Sequence, residues 1–203
     1  MRRRMLFALF PAIPMVLSGC IWRQYFELGW DEEVELHDGR TILVHVTHTY
    51  ERTSRWRRYD TAIHRDTELR FDAGDGIGTV NQLFMSFIPM FLDQDENIWY
   101  AVLYGGYSKR TREIPGQDWG DADSSPYGQL AIKLDRGKWT PISMSSLPEK
   151  FKTPNMLLLH GAVSQIAELD GTRVTLERKR RWRKDHPPGY ADVRLARPVG
   201  KDL

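Results

Sequence analysis

The run "VELHDGRTILVHVTHTY" (34–50) places two stretches of alternating apolar and polar residues around Asp38-Gly39. Alternation with a period of two marks a half-buried strand, and a glycine-containing pair between two such runs marks a hairpin. The register follows from which side chains share a face. A two-residue turn at Asp38-Gly39 pairs Glu35 with Ile42 and Glu33 with Val44, mixing carboxylates with apolar groups. A three-residue loop, His37-Asp38-Gly39, pairs Val34 with Ile42 and Leu36 with Arg40, and gathers Val34, Leu36, Ile42, Val44 and Val46 on one face. A slip of one residue turns every side chain over, so burial selects the second register. The last loop position is then left-handed, which Gly39 accepts without a Cβ penalty.

The same chemistry recurs along the chain. "LAIKLDRGKWTPI" (130–142) has Gly137 between two β-rich runs, and "SQIAELDGTRVTLE" (164–177) has Asp170-Gly171, where a three-residue loop pairs Ile166 with Val174. "TELRFDAG" (67–74) alternates Leu69 and Phe71 with charged neighbours, and "NIWYAVLYGGY" (97–107) is rich in strand formers. "NQLFMSFIPMFL" (81–92) reads as a buried strand or short helix. "SSLPEKF" (145–151) suits one helical turn, and "NMLLLHG" (155–161) fits helix or strand. Long helical patterns are missing, so the expected fold is mainly β: an antiparallel sandwich or partly closed barrel of hairpins, with short helices at most. "KRTREIPGQDWGDADSSPYG" (109–128) reads as a long loop from its Gly, Pro, Ser and Asp content.

The N-terminus carries a different kind of signal. Arg2, Arg3 and Arg4 precede an apolar run from Met5 to about Val16 that contains Pro11 and Pro14. A bilayer-spanning helix needs roughly 20 apolar residues, so this run is too short to span. A positive start, a short apolar middle and a small-residue end make a secretory signal peptide. It closes on Leu17-Ser18-Gly19-Cys20, which resembles the lipobox of bacterial lipoproteins. That resemblance implies a thioether-linked diacylglycerol on Cys20, cleavage before it, acylation of the new amino terminus, and a domain held on a membrane by its lipid. Cys20 is the only cysteine in the chain. Ile21 follows it, in place of the aspartate that marks inner-membrane retention in enteric bacteria. The resemblance therefore favours the outer membrane, with the domain in the periplasm.

Charge has to be reread with the signal removed. The 203-residue chain has 29 Lys and Arg against 27 Asp and Glu; without the three signal arginines this becomes 26 against 27, a net −1. The basic balance therefore belongs to the signal, and no nucleic-acid partner is expected. The remaining length suffices for one domain with a real core. The expected organisation is a signal peptide at 1–19, a lipidated tether at 20–31, a β-rich domain at 32–183 and a loosely ordered tail at 184–203, from which Tyr190, Val193 and Leu195 dock on the body.

Motifs for catalysis or cofactors fail on inspection. "DQDENI" (93–98) alternates oxygen ligands, but an EF-hand-like loop needs glycine sixth and glutamate twelfth, where Ile98 and Tyr104 stand. It is better read as a polar turn between apolar strands. "DADSS" (121–125) runs into Pro126, and "GDGIG" (74–78) lacks the third glycine and following helix of a dinucleotide fingerprint, so it reads as a strand connection. His45 and His48 fall on opposite faces of one strand, with His48 on the apolar face as a hydrogen-bonded, partly buried side chain. "GYSKR" (106–110) has arginine where a nucleophile elbow closes with glycine. No catalytic residue, cofactor or metal site is assigned.

Two basic clusters remain: Arg55, Arg57 and Arg58 around Trp56, and Arg178, Lys179, Arg180, Arg181, Arg183 and Lys184 around Trp182. In an envelope compartment such groups suit anionic glycans, lipid head groups or an acidic protein patch. The sequence is thus read as an envelope lipoprotein acting as a non-enzymatic binding or assembly module. The competing reading is a periplasmic glycan hydrolase using paired carboxylates.

Overall fold

The structure is a computed structural model that describes residues 24–52, 62–74, 76–105, 128–158, 166–185 and Leu195. Among the described residues nine strands form two sheets. They are β1 (Gln24–Glu35), β2 (Thr41–Arg52), β3 (Ala62–Asp72), β4 (Thr79–Met85), β5 (Phe87–Asp95), β6 (Ile98–Gly105), β7 (Gln129–Asp135), β8 (Lys138–Ile142) and β9 (Arg173–Val174). An α-helix, α1 (Leu176–Asp185), follows β9. The first sheet has the order β4-β3-β2-β1-β9 and the second β5-β6-β7-β8. Every pairing is antiparallel except β1 with β9. The sheets keep separate edges, so the architecture is a β sandwich and not a closed barrel.

The opening hairpin takes the register chosen by burial. Val34 pairs with Ile42, Leu36 N–H donates to Arg40 O at 2.8 Å, and Gly39 has φ of +86°. Val34, Leu36, Val44 and Val46 are buried and Ile42 is half-buried. The β7–β8 hairpin is also as read, with Asp135 opposite Lys138 across Arg136-Gly137. Both turn residues have positive φ (50° and 78°), as in a type I′ turn. "DQDENI" is the β5–β6 turn, with Glu96 and Asn97 both left-handed (48° and 65°).

"NQLFMSFIPMFL" is two strands. Ser86, at φ of 60°, ends β4 in the first sheet and starts β5 in the second, carrying the chain from one layer to the other. The second sheet is covered on both faces, which explains why β5 to β7 read as continuous apolar runs. Leu92, Trp99, Ala101, Leu103 and Ile132 join the core shared with the first sheet. Phe91, Val102 and Ala131 pack on the other side against Met144, Leu147, Phe151 and Leu195. A 3-10 turn at Met144–Ser146 supplies part of that cover, and Leu195 supplies the predicted tail contact; Tyr190 and Val193 lie outside the described residues.

Three expectations are corrected. Residues 24–31, assigned to the tether, are the first two-thirds of β1, with Leu28 and Trp30 buried, because Phe26, Leu28 and Trp30 continue the inward alternation of Glu32 and Val34. The Asp170-Gly171 hairpin does not form. Leu169 N–H bonds Ile166 O and Asp170 N–H bonds Ala167 O, which are helical-turn bonds, and Val174 lies parallel to Glu32. Residues 176–185, within the stretch assigned to domain end and tail, are helical; Thr175 Oγ1 accepts the Arg178 N–H at 3.2 Å and starts the helix.

Candidate functional site

The basic run at 178–184 lies on α1, so its residues point in several directions rather than forming one surface. Lys179 faces inward. Its Nζ lies 3.0 Å from Glu32 Oε1, and both side chains are buried (4% and 1% exposed). Lys179 also donates to Asn155 O. Glu32 accepts the Leu157 N–H at 2.8 Å and the Trp30 indole N–H at 3.2 Å. Three further groups thus hydrogen-bond one buried charge pair, which is what a carboxylate and an ammonium need out of water. Burial pushes the Lys179 ammonium below its usual range, and Glu32 opposes that shift.

Around this pair the elements are tied together. Asn155 bonds both Leu92 N–H (3.0 Å) and Leu92 O (2.7 Å) on β5, and donates to Glu35 O (3.0 Å) on β1. Glu33, on the opposite face of β1, accepts the Leu176 N–H at 3.0 Å and an Arg173 guanidinium N–H at 2.9 Å. The Leu176 bond at the helix start holds the Glu33 carboxyl below its ordinary range. Arg183 donates to Pro154 O at 3.2 Å, and Arg178 to Thr172 Oγ1 at 2.9 Å and Glu168 O at 3.1 Å. Lys179 is therefore removed from the candidate anion-binding set, and Arg178 and Arg183 are engaged in holding the helix. Arg180, Arg181 and Lys184 remain on the exposed side, with Arg181 paired to Glu177 at 3.1 Å.

The other cluster, Arg55, Arg57 and Arg58, lies outside the described residues, as does Cys20. Its flanks are placed. Arg52 pairs with Ala62 and with Gln24, at the end of the sheet where β1 begins. The Arg52 guanidinium sits 5.3 Å from the centre of the Phe26 ring. Helix α1 is anchored at Glu33, nine residues further along β1, or about 30 Å at strand rise. The start of α1 and the strand ends that flank residues 53–61 thus lie toward opposite ends of the first sheet.

A second polar group lies on the inner face of that sheet. The His48 ring meets Trp30 and His64 edge-on, each at 4.8 Å, and its Nδ1 lies 2.9 Å from Tyr50 Oη. His64 Nε2 lies 2.8 Å from Thr67 Oγ1. His48 is on the apolar face as expected, and is fully rather than partly buried at 1% exposure. Burial raises the Tyr50 phenol far above its usual range. His45, on the other face, pairs with Asp31 at 2.8 Å. The His64 and Thr67 partnership was hidden in sequence because a bulge at Thr49/Tyr50 shifts the β2–β3 register.

The described carboxylates with side-chain partners meet cations or histidines. Glu51 binds Arg65, Asp95 binds Lys150, Asp38 binds Arg40, and buried Asp93 holds His37 at 2.9 Å while accepting its backbone N–H at 2.9 Å. Among the described residues no three His, Cys, Asp or Glu side chains come together as metal ligands. No helix among them is long and apolar enough to cross a membrane. No family model, curated protein or solved structure matches the chain.

Proposed function

We propose that this is a lipid-anchored protein of the bacterial cell envelope, whose β sandwich acts as a non-enzymatic binding or assembly module. The observation that carries the reading is the position of Cys20, four residues before the first strand. Four extended residues reach about 14 Å. A lipid on Cys20 therefore holds the Gln24 end of the first sheet against the membrane, most simply the outer membrane. The connection carrying Arg55, Arg57 and Arg58 starts and ends there, near anionic head groups. Arg180, Arg181 and Lys184, on the helix anchored at the far end, face the compartment and suit an anionic glycan or acidic protein.

The experiment is metabolic labelling with a fatty-acid analogue, followed by membrane fractionation. Label and membrane attachment are expected on the wild-type protein and lost in Cys20→Ala. Full label on Cys20→Ala overturns the anchor.

A further inference from the structure

The four outer strands of the two sheets are not protected alike. An exposed edge presents unpaired backbone N–H and C=O groups, and proteins blunt such edges with Pro, charge, bulges, brevity or a covering segment. On β5, Pro89 and a bulge interrupt the edge, and the Asn155 side chain and Met156 N–H occupy Leu92 and Met90. Strand β8 is five residues long, starts at Lys138 and contains Pro141. Strand β9 has two residues and leads into the helix. Strand β4, "TVNQLFM" (79–85), has no Pro, charge or bulge.

Hydrogen bonding fixes which β4 groups face outward. Ala73 N–H donates to Gly78 O at 2.9 Å and Ser86 N–H to Arg65 O, so Val80, Gln82 and Phe84 bond β3. The backbone groups of Thr79, Asn81, Leu83 and Met85 point away from the sheet. Among the described residues, one of these acceptors is filled: the Gln82 amide donates to Leu83 O at 2.8 Å. The Leu83 side chain is 47% exposed.

We infer that β4 is a homodimerisation edge, pairing antiparallel with β4 of a second copy about a two-fold axis at Gln82. This register sets Asn81 opposite Leu83 and Thr79 opposite Met85 of the second copy, so every outward backbone group meets its complement. The two Leu83 side chains become diagonal neighbours, about 7–8 Å apart and within mutual reach, which covers the exposed apolar group. An uncharged strand meets its own image without like-charge repulsion, and isologous pairing closes at two copies. The Gln82 amide then releases Leu83 O to the incoming strand.

Disulfide trapping in cells making the full chain tests this. At the axis the two residues 82 form a non-hydrogen-bonded pair with Cα atoms about 4.5 Å apart, within disulfide range. Gln82→Cys is expected to give a reducible species of twice the monomer mass under mild oxidation. Wild type, which retains Cys20, and Thr47→Cys, in the middle of the exposed sheet face, should not. Adding Leu83→Pro removes an outward N–H while leaving the β3 bonds intact, and should abolish the species. Unchanged thermal melting of both variants shows that the fold survives. No covalent dimer from Gln82→Cys above the Thr47→Cys level overturns the proposal. So does trapping of Gln82→Cys exclusively to other proteins, which makes a foreign strand the occupant.

Discussion

At the residue scale, Gly39, the Glu32–Lys179 pair and Glu33 carry separable free energies. Nothing lies within 4 Å of a Cβ built at Gly39, so its φ of +86° is the only obstacle to substitution. Gly39→Val is expected to cost about 1–2 kcal/mol, the left-handed penalty of an L-residue, read by denaturant unfolding. Lys179→Ala leaves the Glu32 carboxylate buried without its cation and should cost roughly 3–5 kcal/mol. Glu32→Gln combined with Lys179→Met removes both charges while keeping a carbonyl acceptor for the Leu157 N–H, at the expense of the longer Trp30 contact, and should cost less than Lys179→Ala; equal losses would argue that the charges are unimportant. Glu33 gives a pH signature. Its carboxyl is depressed in the fold, so its contribution is full above the unfolded value near 4.3 and disappears as pH falls through the lower folded value. Melting temperatures between pH 7 and 3 should fall less steeply for Glu33→Gln than for wild type.

At the element scale, hairpins were legible and the C-terminal elements were not. Val34 to Val46 announce their strands because each alternation is local and Gly39 marks the reversal. Arg136-Gly137 and Glu96-Asn97 were equally local, and Arg136 still occupies a left-handed position that asparagine fills at less cost. Arg136→Asn, at a fully exposed turn, should stabilise the protein by about 0.5–1 kcal/mol in the same unfolding assay. Residues 166–185 misled because their structure depends on β1, far away in sequence: Gly171 N–H bonds Gly29 O at 2.7 Å, and Val174 lies beside Glu32. The basic run at 178–184 hid its helical period behind charge. Lys179 looks like surface until Glu32 is placed beneath it, and no pattern within the run reveals a partner 147 residues away.

At the scale of the whole molecule, the distance between α1 and the strand ends flanking residues 53–61 leads to a prediction of two independent anion contacts. Glutamine at Arg55, Arg57 and Arg58 and glutamine at Arg180 and Arg181 should weaken binding to lipopolysaccharide or anionic vesicles independently, with losses adding in free energy. Raising salt should weaken both, since exposed charges are screened within about 8 Å at physiological ionic strength. Titration of single and combined variants at two salt concentrations measures this; strong non-additivity would mean one shared surface. The sandwich was legible at this scale from repeated hairpins, whereas its candidate interfaces depend on which edges and helix faces remain uncovered after packing. The bond between Glu32 and Lys179 also orders events in time. A chain emerging amino-terminus first makes β1 early, yet its buried carboxylate finds its cation only when α1 arrives. Until then closing the sheets would bury that carboxylate without its ammonium, so the two layers gain their full stability only once residues 176–185 are in place.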